Sequence, residues 1–229
     1  MPNYVFLISR RQITVSENNL QFENFSSQDS AELFHSLYEN WIEILKMNLD
    51  QFSIISFLHE ADALTAEQSL TENHQVEIIN DKNLSSVLKN KLEKFDIHNF
   101  PKIIFIFADS IGISSKDFYK YFNVLDNDDN NLLLVRDTND NICLFGINYY
   151  NDSLIENLFY NDLKADKFLK QFKTQDFFLF MFDGMLQLNS LDDFKMLYKV
   201  LSTKESIEFC SQEMHEKFTH LFIEYKELL

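Results

Sequence analysis

A carboxylate at the end of a buried strand is the feature of this sequence best placed to do chemistry. Residues 102–108 form a nearly continuous apolar run, and Asp109 and Ser110 follow directly. Such a run predicts a strand at the centre of a mainly parallel sheet, and open α/β sheets bind ligands at the carboxyl ends of their strands. The pair could bind a metal ion or a ribose. The alternative is structural, with Asp109 capping the next turn and Ser110 satisfying its backbone.

A second acidic segment, residues 126–131, resembles the start of a calcium-binding loop, with Asp137 eleven residues after Asp126. Asn131 stands where that loop needs glycine, and an Asp closes it instead of the usual Glu. We therefore predict a solvated helix-to-strand turn.

Residues 59–62 (His-Glu-Ala-Asp) follow another predicted strand end and could line a cleft, although a polar loop is the simpler interpretation. The six histidines show no metal-binding spacing, and there is no Walker loop, dinucleotide fingerprint or serine nucleophile elbow.

The composition restricts the partners of this chain. Its formal net charge is −16, and it has only 3 glycines in 229 residues. Lys and Arg neutralise phosphates in complexes with nucleic acid and anionic lipid, so this acidity argues against both partners. Phosphate-cradling loops usually need glycine. A nucleotide would therefore require a metal ion or a local basic pocket.

The cysteines and the N-terminal residues predict a cytoplasmic protein. Cys143 and Cys210 are far apart in sequence and are interpreted as buried free thiols in a reducing compartment. The first residues lack the basic and apolar regions of a signal peptide. No apolar run approaches the roughly 20 residues that span a bilayer.

Strands and helices alternate along the chain without a Pro- or Gly-rich linker, which predicts a single three-layer α/β/α domain. The predicted strands are 4–8, 52–58, 76–80, 102–108, 132–135, 142–145 and 177–182. The predicted helices are 26–46, 84–95 with Asn83 as cap, 114–125, 153–160, 164–172, 191–201 and 204–229.

The last predicted helix lies outside the alternating pattern. We therefore divide the chain into an α/β domain, 1–201, and a helical extension, 202–229. The extension carries an apolar stripe at helical spacing on one face, formed by Ile207, Cys210, Met214, Phe218, Leu221 and Tyr225. This face could pack on the domain or on a second subunit, and packing on the domain is the simpler prediction.

The segment around Asp109 resembles the signature of a known family. Residues 107–113 read F-A-D-S-I-G-I, and a bacterial family of small glycosyltransferase-like proteins carries G-T-D-S-P-G-L after its central strand. Asp109, Ser110 and Gly112 match. Further parts are similar in order and spacing over roughly residues 4–200. Asn139-Asp140-Asn141 stands at the family's D-G-G, and Gln187-Leu188-Asn189 stands at the D-x-D of its closing motif.

The resemblance implies the GT-A fold of the nucleotide-diphospho-sugar transferases, which is related to that of nucleotidyltransferases. It implies Asp109 as a ligand of Mg²⁺ or Mn²⁺. It also implies a nucleotide or nucleotide-sugar site that includes Ser110, Gly112, Asn139 and Asn189. Arg10, or its neighbour Arg11, is all that could replace the family's early Lys.

The departures from the family pattern concern the groups that hold the diphosphate. The opening loop, residues 11–20, has neither Gly nor Lys, and the Arg of the family's helix-entry motif is Val87. Asn139 and Asn189 replace aspartates, and an uncharged amide is a weaker Mg²⁺ ligand and a poor base.

Three hypotheses follow. The first is a diverged glycosyltransferase-like protein with weak or lost transferase activity. The second is an active metal-dependent transferase that uses Asp109 with Asp137 or Asp140. The third is a non-enzymatic scaffold that reuses the fold, with a homodimer through the last helix.

Overall fold

The computed structural model describes residues 3–15, 21–62, 74–79, 84–127, 129–171 and 177–229. The strands in these ranges are β1 (Asn3–Ile8), β2 (Ser53–His59), β3 (His74–Ile79), β4 (Lys102–Phe107), β5 (Ser110–Ile111), β6 (Asn131–Arg136), β7 (Ile142–Ile147), β8 (Phe178–Asp183) and β9 (Leu186–Gln187). The α-helices are α1 (Ser27–Lys46), α2 (Leu84–Leu92), α3 (Ser115–Val124), α4 (Asp152–Tyr160), α5 (Ala165–Gln171), α6 (Leu191–Leu201) and α7 (Gln212–Glu224).

The central sheet has seven strands in the order β3-β2-β1-β4-β7-β6-β8. Its neighbours are parallel except where β7 pairs with β4 and with β6. Only a short turn separates β6 from β7, which is too short for the crossover that a parallel pair needs. The mainly parallel sheet is confirmed, and β4 is its middle strand.

Helices cover both faces of the sheet, which confirms the three-layer prediction. Successive side chains of a strand point to opposite faces, so Ile104 and Ile106 of β4 join one buried cluster while Ile103 and Phe105 join the other. The first cluster includes residues of α1, α3, α6 and α7. The second includes residues of α2, α4 and α5.

The helix starts follow the predicted caps where those residues are described. The Ser26 side chain caps α1 and accepts the N–H of Asp29. Ser114 begins α3 with a reciprocal capping box to Asp117. The predicted cap Asn83 and the predicted helix end Phe172 lie outside the described residues.

The predicted helix 204–229 is wrong as one continuous element. A 3₁₀ turn, Lys204–Glu208, is followed by α7 and a second 3₁₀ turn, Lys226–Leu228. The Ser211 side chain caps α7 by accepting the N–H of Met214, so it ends the preceding turn and begins the helix there. Ile207 is consequently 75% exposed and does not join the apolar stripe.

The C-terminal segment packs on α1 of the same chain. Met214, Phe218 and Leu221 are buried in the core cluster that also contains α1. Tyr225 stacks on Phe25 with ring centroids 3.8 Å apart. The buried face of α7 is therefore used within the chain.

Glu39 of α1 links the two helices electrostatically. Its carboxylate lies 3.2 Å from His35 Nε2 and 2.5 Å from Lys217 Nζ. The hydrogen bond from His35 and then that from Lys217 lower the pKa of Glu39 to about 2. A carboxyl group with a lowered folded-state pKa stabilises the protein above its unfolded pKa, and it loses this contribution as the pH falls to the folded value.

We expect Glu39→Gln to lower the free energy of unfolding by about 0.5–1 kcal/mol near neutral pH, because the group is partly exposed. The difference from the wild type should shrink below about pH 4.5 and vanish near pH 2. Urea unfolding at a series of pH values measures it. Glu213→Gln is the control, since Glu213 meets Lys217 at 3.7 Å from a far more exposed position. If the difference in the free energy of unfolding between Glu39→Gln and the wild type were unchanged at pH 2, the lowered pKa of Glu39 would be contradicted.

The acidic segment after α3 is a turn, as predicted in place of a calcium loop. The Asn148 amide nitrogen donates to the backbone carbonyls of Leu125, Asn127 and Asp129 at 2.8–3.1 Å. Asp137 lies beyond the opposite end of β6 and cannot close a loop here. Residue 128 lies outside the described ranges.

None of the helices in the described ranges is long and apolar enough to cross a membrane.

Candidate functional site

The carboxyl ends of β1 and β4 bring Arg10 and Asp109 together. The two strands are parallel neighbours with Ile8 opposite Phe107, and each of the two polar residues lies two positions beyond that pair. Arg10 Nη2 lies 2.6 Å from Asp109 Oδ2, and the guanidinium also lies 4.7 Å from the centroid of the Phe107 ring. The predicted carboxylate is thus at the predicted edge of the sheet, but it forms an ion pair with the predicted basic residue.

Asp109 is almost fully enclosed, with 3% of its surface exposed. Its second carboxylate oxygen accepts a hydrogen bond from Gln187 Nε2 at 3.3 Å, and its carbonyl accepts the N–H of Leu188 at 2.8 Å. The antiparallel pair β5–β9 places Gln187 there, opposite Ser110. These two strands could not be predicted from the sequence, because two residues are too few to show a periodic pattern.

Ser110 satisfies the backbone of the turn after β4, which was the structural alternative to a role in ligand binding. It is buried, and its hydroxyl donates to the Phe107 carbonyl at 2.5 Å. Its own carbonyl accepts the indole N–H of Trp41 at 2.7 Å. The turn after β4 is therefore tied to α1.

Gly112 lies where two segments of backbone come into close approach. Its φ of +128° falls in the region that favours glycine. A Cβ at this position would lie 2.6 Å from the carbonyl oxygen of Gly184, in the connection between β8 and β9. Gly112 thus allows the turn after β4 to contact that connection.

The loop that carries Arg10 is anchored by Asp62. This buried carboxylate accepts the N–H groups of Ile13 and Thr14 and the Thr14 hydroxyl. Asp62 ends the short 3₁₀ turn Glu60–Asp62 after β2. The His-Glu-Ala-Asp segment therefore contributes an anchor for the opening loop, a role that the sequence pattern did not indicate.

Asn139 and Asn189 meet at a third residue, Asp193. Asn139 Nδ2 lies 3.3 Å from Asp193 Oδ1, and the Asn189 N–H donates to Oδ2 at 3.0 Å. Asp193 also forms the capping box of α6 with Ser190. The Ser-x-x-Asp spacing at 190–193 is the signal that could have identified Asp193 as a cap.

Asp137 and Asp140, the alternative metal ligands, are engaged in the turn between β6 and β7. Asp137 accepts the N–H groups of Asn139 and Asn141, each at 2.8 Å. Asp140 pairs with Arg136 at 2.9 Å and accepts the N–H of Asp166 at the start of α5. Within the described ranges, no three His, Cys, Asp or Glu side chains are grouped closely enough to hold a metal ion.

The groups around Asp109 do not fit a divalent cation as they are arranged. One carboxylate oxygen contacts a guanidinium and the other contacts an amide N–H group. The sequence resemblance aligns Gln187 and Asn189 with the two aspartates of that family's closing motif, and neither side chain provides Asp109 with a carboxylate partner. The positive charge beside this carboxylate comes from the protein itself.

Cys143 lies close enough to this site to respond to its charges. Burial, and then the nearby carboxylates of Asp137 and Asp109, raise the pKa of its thiol well above the ordinary value. The thiol is therefore neutral at physiological pH and is a poor nucleophile.

A cleft of about 570 Å³ opens beside the site. Its polar side is formed by Arg136, Asp137, Thr138, Asp140 and Asp183, and its apolar side by Ile111, Met185, Leu186, Met196 and Val200, with Gly184 between them. It thus connects the β6–β7 turn, the segment after β8 and α6 at the carboxyl edge of the sheet.

Comparison with known proteins identifies the fold through structure rather than sequence. No protein-family model matches the sequence, and no curated protein matches it. The structure is similar to that of a protein from Desulfovibrio desulfuricans G20 assigned as a nucleotide-diphospho-sugar transferase. The TM-score is 0.73 and the identity 12%, over 100% of this chain and 97% of that chain.

Two further solved structures are more distant. A cytidylyltransferase from Leptospira borgpetersenii matches with a TM-score of 0.55 and 15% identity, over 100% of this chain and 97% of that one. Rv0371c from Mycobacterium tuberculosis, solved in complex with manganese, matches with a TM-score of 0.50 and 12% identity, over 86% and 97%. The chain therefore has the fold of the nucleotide-diphospho-sugar transferases, as the sequence resemblance predicted.

Proposed function

We propose that this protein is a diverged nucleotide-diphospho-sugar transferase that binds a nucleotide or nucleotide-sugar and has weak or lost transferase activity. The observation that carries the proposal is the ion pair between Arg10 and Asp109 at the end of the central strand. In a GT-A enzyme, a carboxylate at this edge holds a metal ion against the diphosphate. Here the carboxylate is neutralised by an arginine.

Arg10 retains donors for an anionic ligand. Its Nε is buried and has no hydrogen-bond partner among the described residues. An unsatisfied buried donor is unfavourable, and the Arg10 side chain is 26% exposed, so a turn of its guanidinium toward a ligand would let a phosphate oxygen satisfy the Nε with a charge-assisted hydrogen bond. Arg10 could therefore bind a phosphate group directly, in place of a metal ion.

The same arrangement supports weak or lost transfer. A transferase must stabilise the negative charge that develops on the leaving diphosphate. One guanidinium that is already shared with Asp109 provides less positive charge than a divalent ion. In addition, amides replace the carboxylates at Asn139, Gln187 and Asn189.

Metal-dependent transfer is the second candidate function, and the manganese complex of Rv0371c favours it. In this case Arg10 would have to leave Asp109 so that Mg²⁺ or Mn²⁺ could bind the carboxylate. Nucleotide binding would then depend on the metal and on Asp109.

Thermal shift with nucleoside diphosphates and nucleotide-sugars, each with and without Mg²⁺ or Mn²⁺, tests these functions, because a ligand of the folded state raises the melting temperature. We expect a nucleotide-induced shift without metal that is lost in Arg10→Met. Arg11→Met is the matched control, since the Arg11 guanidinium lies over the Phe34 ring instead of beside Asp109. A metal-dependent shift that Asp109→Ala abolishes would support the second candidate, whereas no shift with any ligand would favour the scaffold hypothesis.

A further inference from the structure

Strand β8 leaves an apolar edge of the central sheet open. It is the last strand of the sheet and pairs only with β6 among the described strands. Phe178, Leu179 and Met181 are 59%, 37% and 36% exposed. The strand at the other edge, β3, has the polar residues His74, Gln75 and Glu77 among its six.

The direction of the hydrogen bonds shows which backbone groups of β8 face outward. The Phe178 N–H donates to the Asn130 carbonyl at 2.8 Å, and the parallel register continues to Arg136 opposite Asp183. Main-chain groups alternate sides along a strand. Phe178 and Phe180 therefore bond to β6, while Leu179 and Met181 direct their N–H and C=O groups to the open edge.

Within the described residues, this edge lacks three features that commonly prevent strands from pairing between molecules: a proline, a lysine and a bulge. Such edges commonly contain a proline, a lysine or a bulge, or are very short. Residues 178–183 read F-L-F-M-F-D, with neither Pro nor Lys, and pair with β6 in an unbroken register over six residues.

We propose that β8 pairs antiparallel with β8 of a second copy of this chain, about a two-fold axis beside Phe180. In this register Leu179 faces Met181 of the other copy, and each such pair exchanges two backbone hydrogen bonds. Phe178 faces Phe182 of the other copy, and these two side chains lie on the face of the sheet opposite to that of Leu179 and Met181. The apolar sequence is therefore complementary to itself, as a two-fold interface requires.

The charge distribution disfavours a second copy over most of the surface but permits one at this edge. Two chains with a formal charge of −16 repel each other over most of their surface. Asp183 is the only ionisable residue of β8. The register places Asp183 opposite residue 177 of the other copy, so the two aspartates do not face each other.

Sedimentation equilibrium of the full chain at several concentrations tests the proposal. We expect a dimer that the double variant Leu179→Pro, Met181→Pro weakens by about 100-fold or more, because proline removes the outward N–H groups. Proline is tolerated where the N–H of an edge strand faces solvent, so the pairing with β6 should persist. The control Leu179→Ala, Met181→Ala keeps these N–H groups and should weaken the dimer far less.

Circular dichroism reports whether the proline variant is folded. If it is not, hydrogen exchange of the wild-type chain provides the second measurement. The amides of Leu179 and Met181 should exchange more slowly as the protein concentration rises. The proposal would be overturned by a chain that stays monomeric at every concentration or by a dimer that the proline variant leaves intact. It would also be overturned if hydrogen exchange at these amides did not depend on protein concentration.

Discussion

Replacing Arg10 with methionine is expected to lower the free energy of unfolding by about 3 kcal/mol. The change removes the charge and hydrogen bond but keeps much of the aliphatic volume. Asp109, which is 3% exposed, would then be a buried carboxylate without its cation. Removing one partner of a buried ion pair typically costs about 3–5 kcal/mol, and the partial exposure of Arg10 places it at the lower end of this range.

Urea unfolding at neutral pH measures this effect. Arg11→Met should lower the free energy of unfolding by less than about 1 kcal/mol, since it loses only a cation–π contact with Phe34. The double variant Arg10→Met, Asp109→Asn should recover part of the loss, since removing both charges leaves no unpaired ion. An Arg10→Met protein as stable as the wild type would show that the pair contributes nothing to the fold.

The Arg10→Met variant also tests whether Asp109 can bind a metal ion. With Arg10 removed, the Asp109 carboxylate becomes available to another cation. We therefore expect millimolar Mn²⁺ to raise the melting temperature of Arg10→Met more than that of the wild-type protein. The same measurement on the double variant Arg10→Met, Asp109→Asn shows whether the bound ion uses this carboxylate, because the rise in melting temperature should then be lost.

The central strand and its carboxylate could be predicted because local signals determine them. A continuous apolar run predicts β4 at the middle of the sheet, and Asp109 lies two residues after the end of that strand. The serines before α1 and α3 have a local hydrogen-bonding role, and they too were predicted. Each of these features depends on residues that are close together in sequence.

The ion pair itself could not be derived from the sequence, although both partners were named. Its formation depends on β1 and β4 being neighbours, a pairing between segments about 100 residues apart. The contacts of Gln187 with Asp109 and of Asp193 with Asn139 could not be derived for the same reason, since both depend on tertiary packing. Asp62 appeared as part of a polar loop because the two N–H groups that it accepts belong to residues 13 and 14.

Gly112→Ala is expected to destabilise the protein by about 3–5 kcal/mol. A residue with a side chain at a φ of +128° is strained, at a cost of about 1–3 kcal/mol. The added Cβ would also lie 2.6 Å from the Gly184 carbonyl oxygen and 3.2 Å from Met185 Cα, both of which are backbone atoms. Since backbone cannot rotate away as a side chain can, we expect overpacking to add about 1–3 kcal/mol.

Gly184→Ala separates these two costs within the same protein. Gly184 has a similar φ of +117°, but a Cβ there would have no atom within 4 Å. Its substitution should therefore show the backbone strain alone, and urea unfolding of the two variants gives the contact cost by difference. Equal losses at both positions would mean that the turn after β4 can move away from the β8–β9 connection. In that event Gly112 would matter for its backbone angle and not for bringing those two segments together at the site.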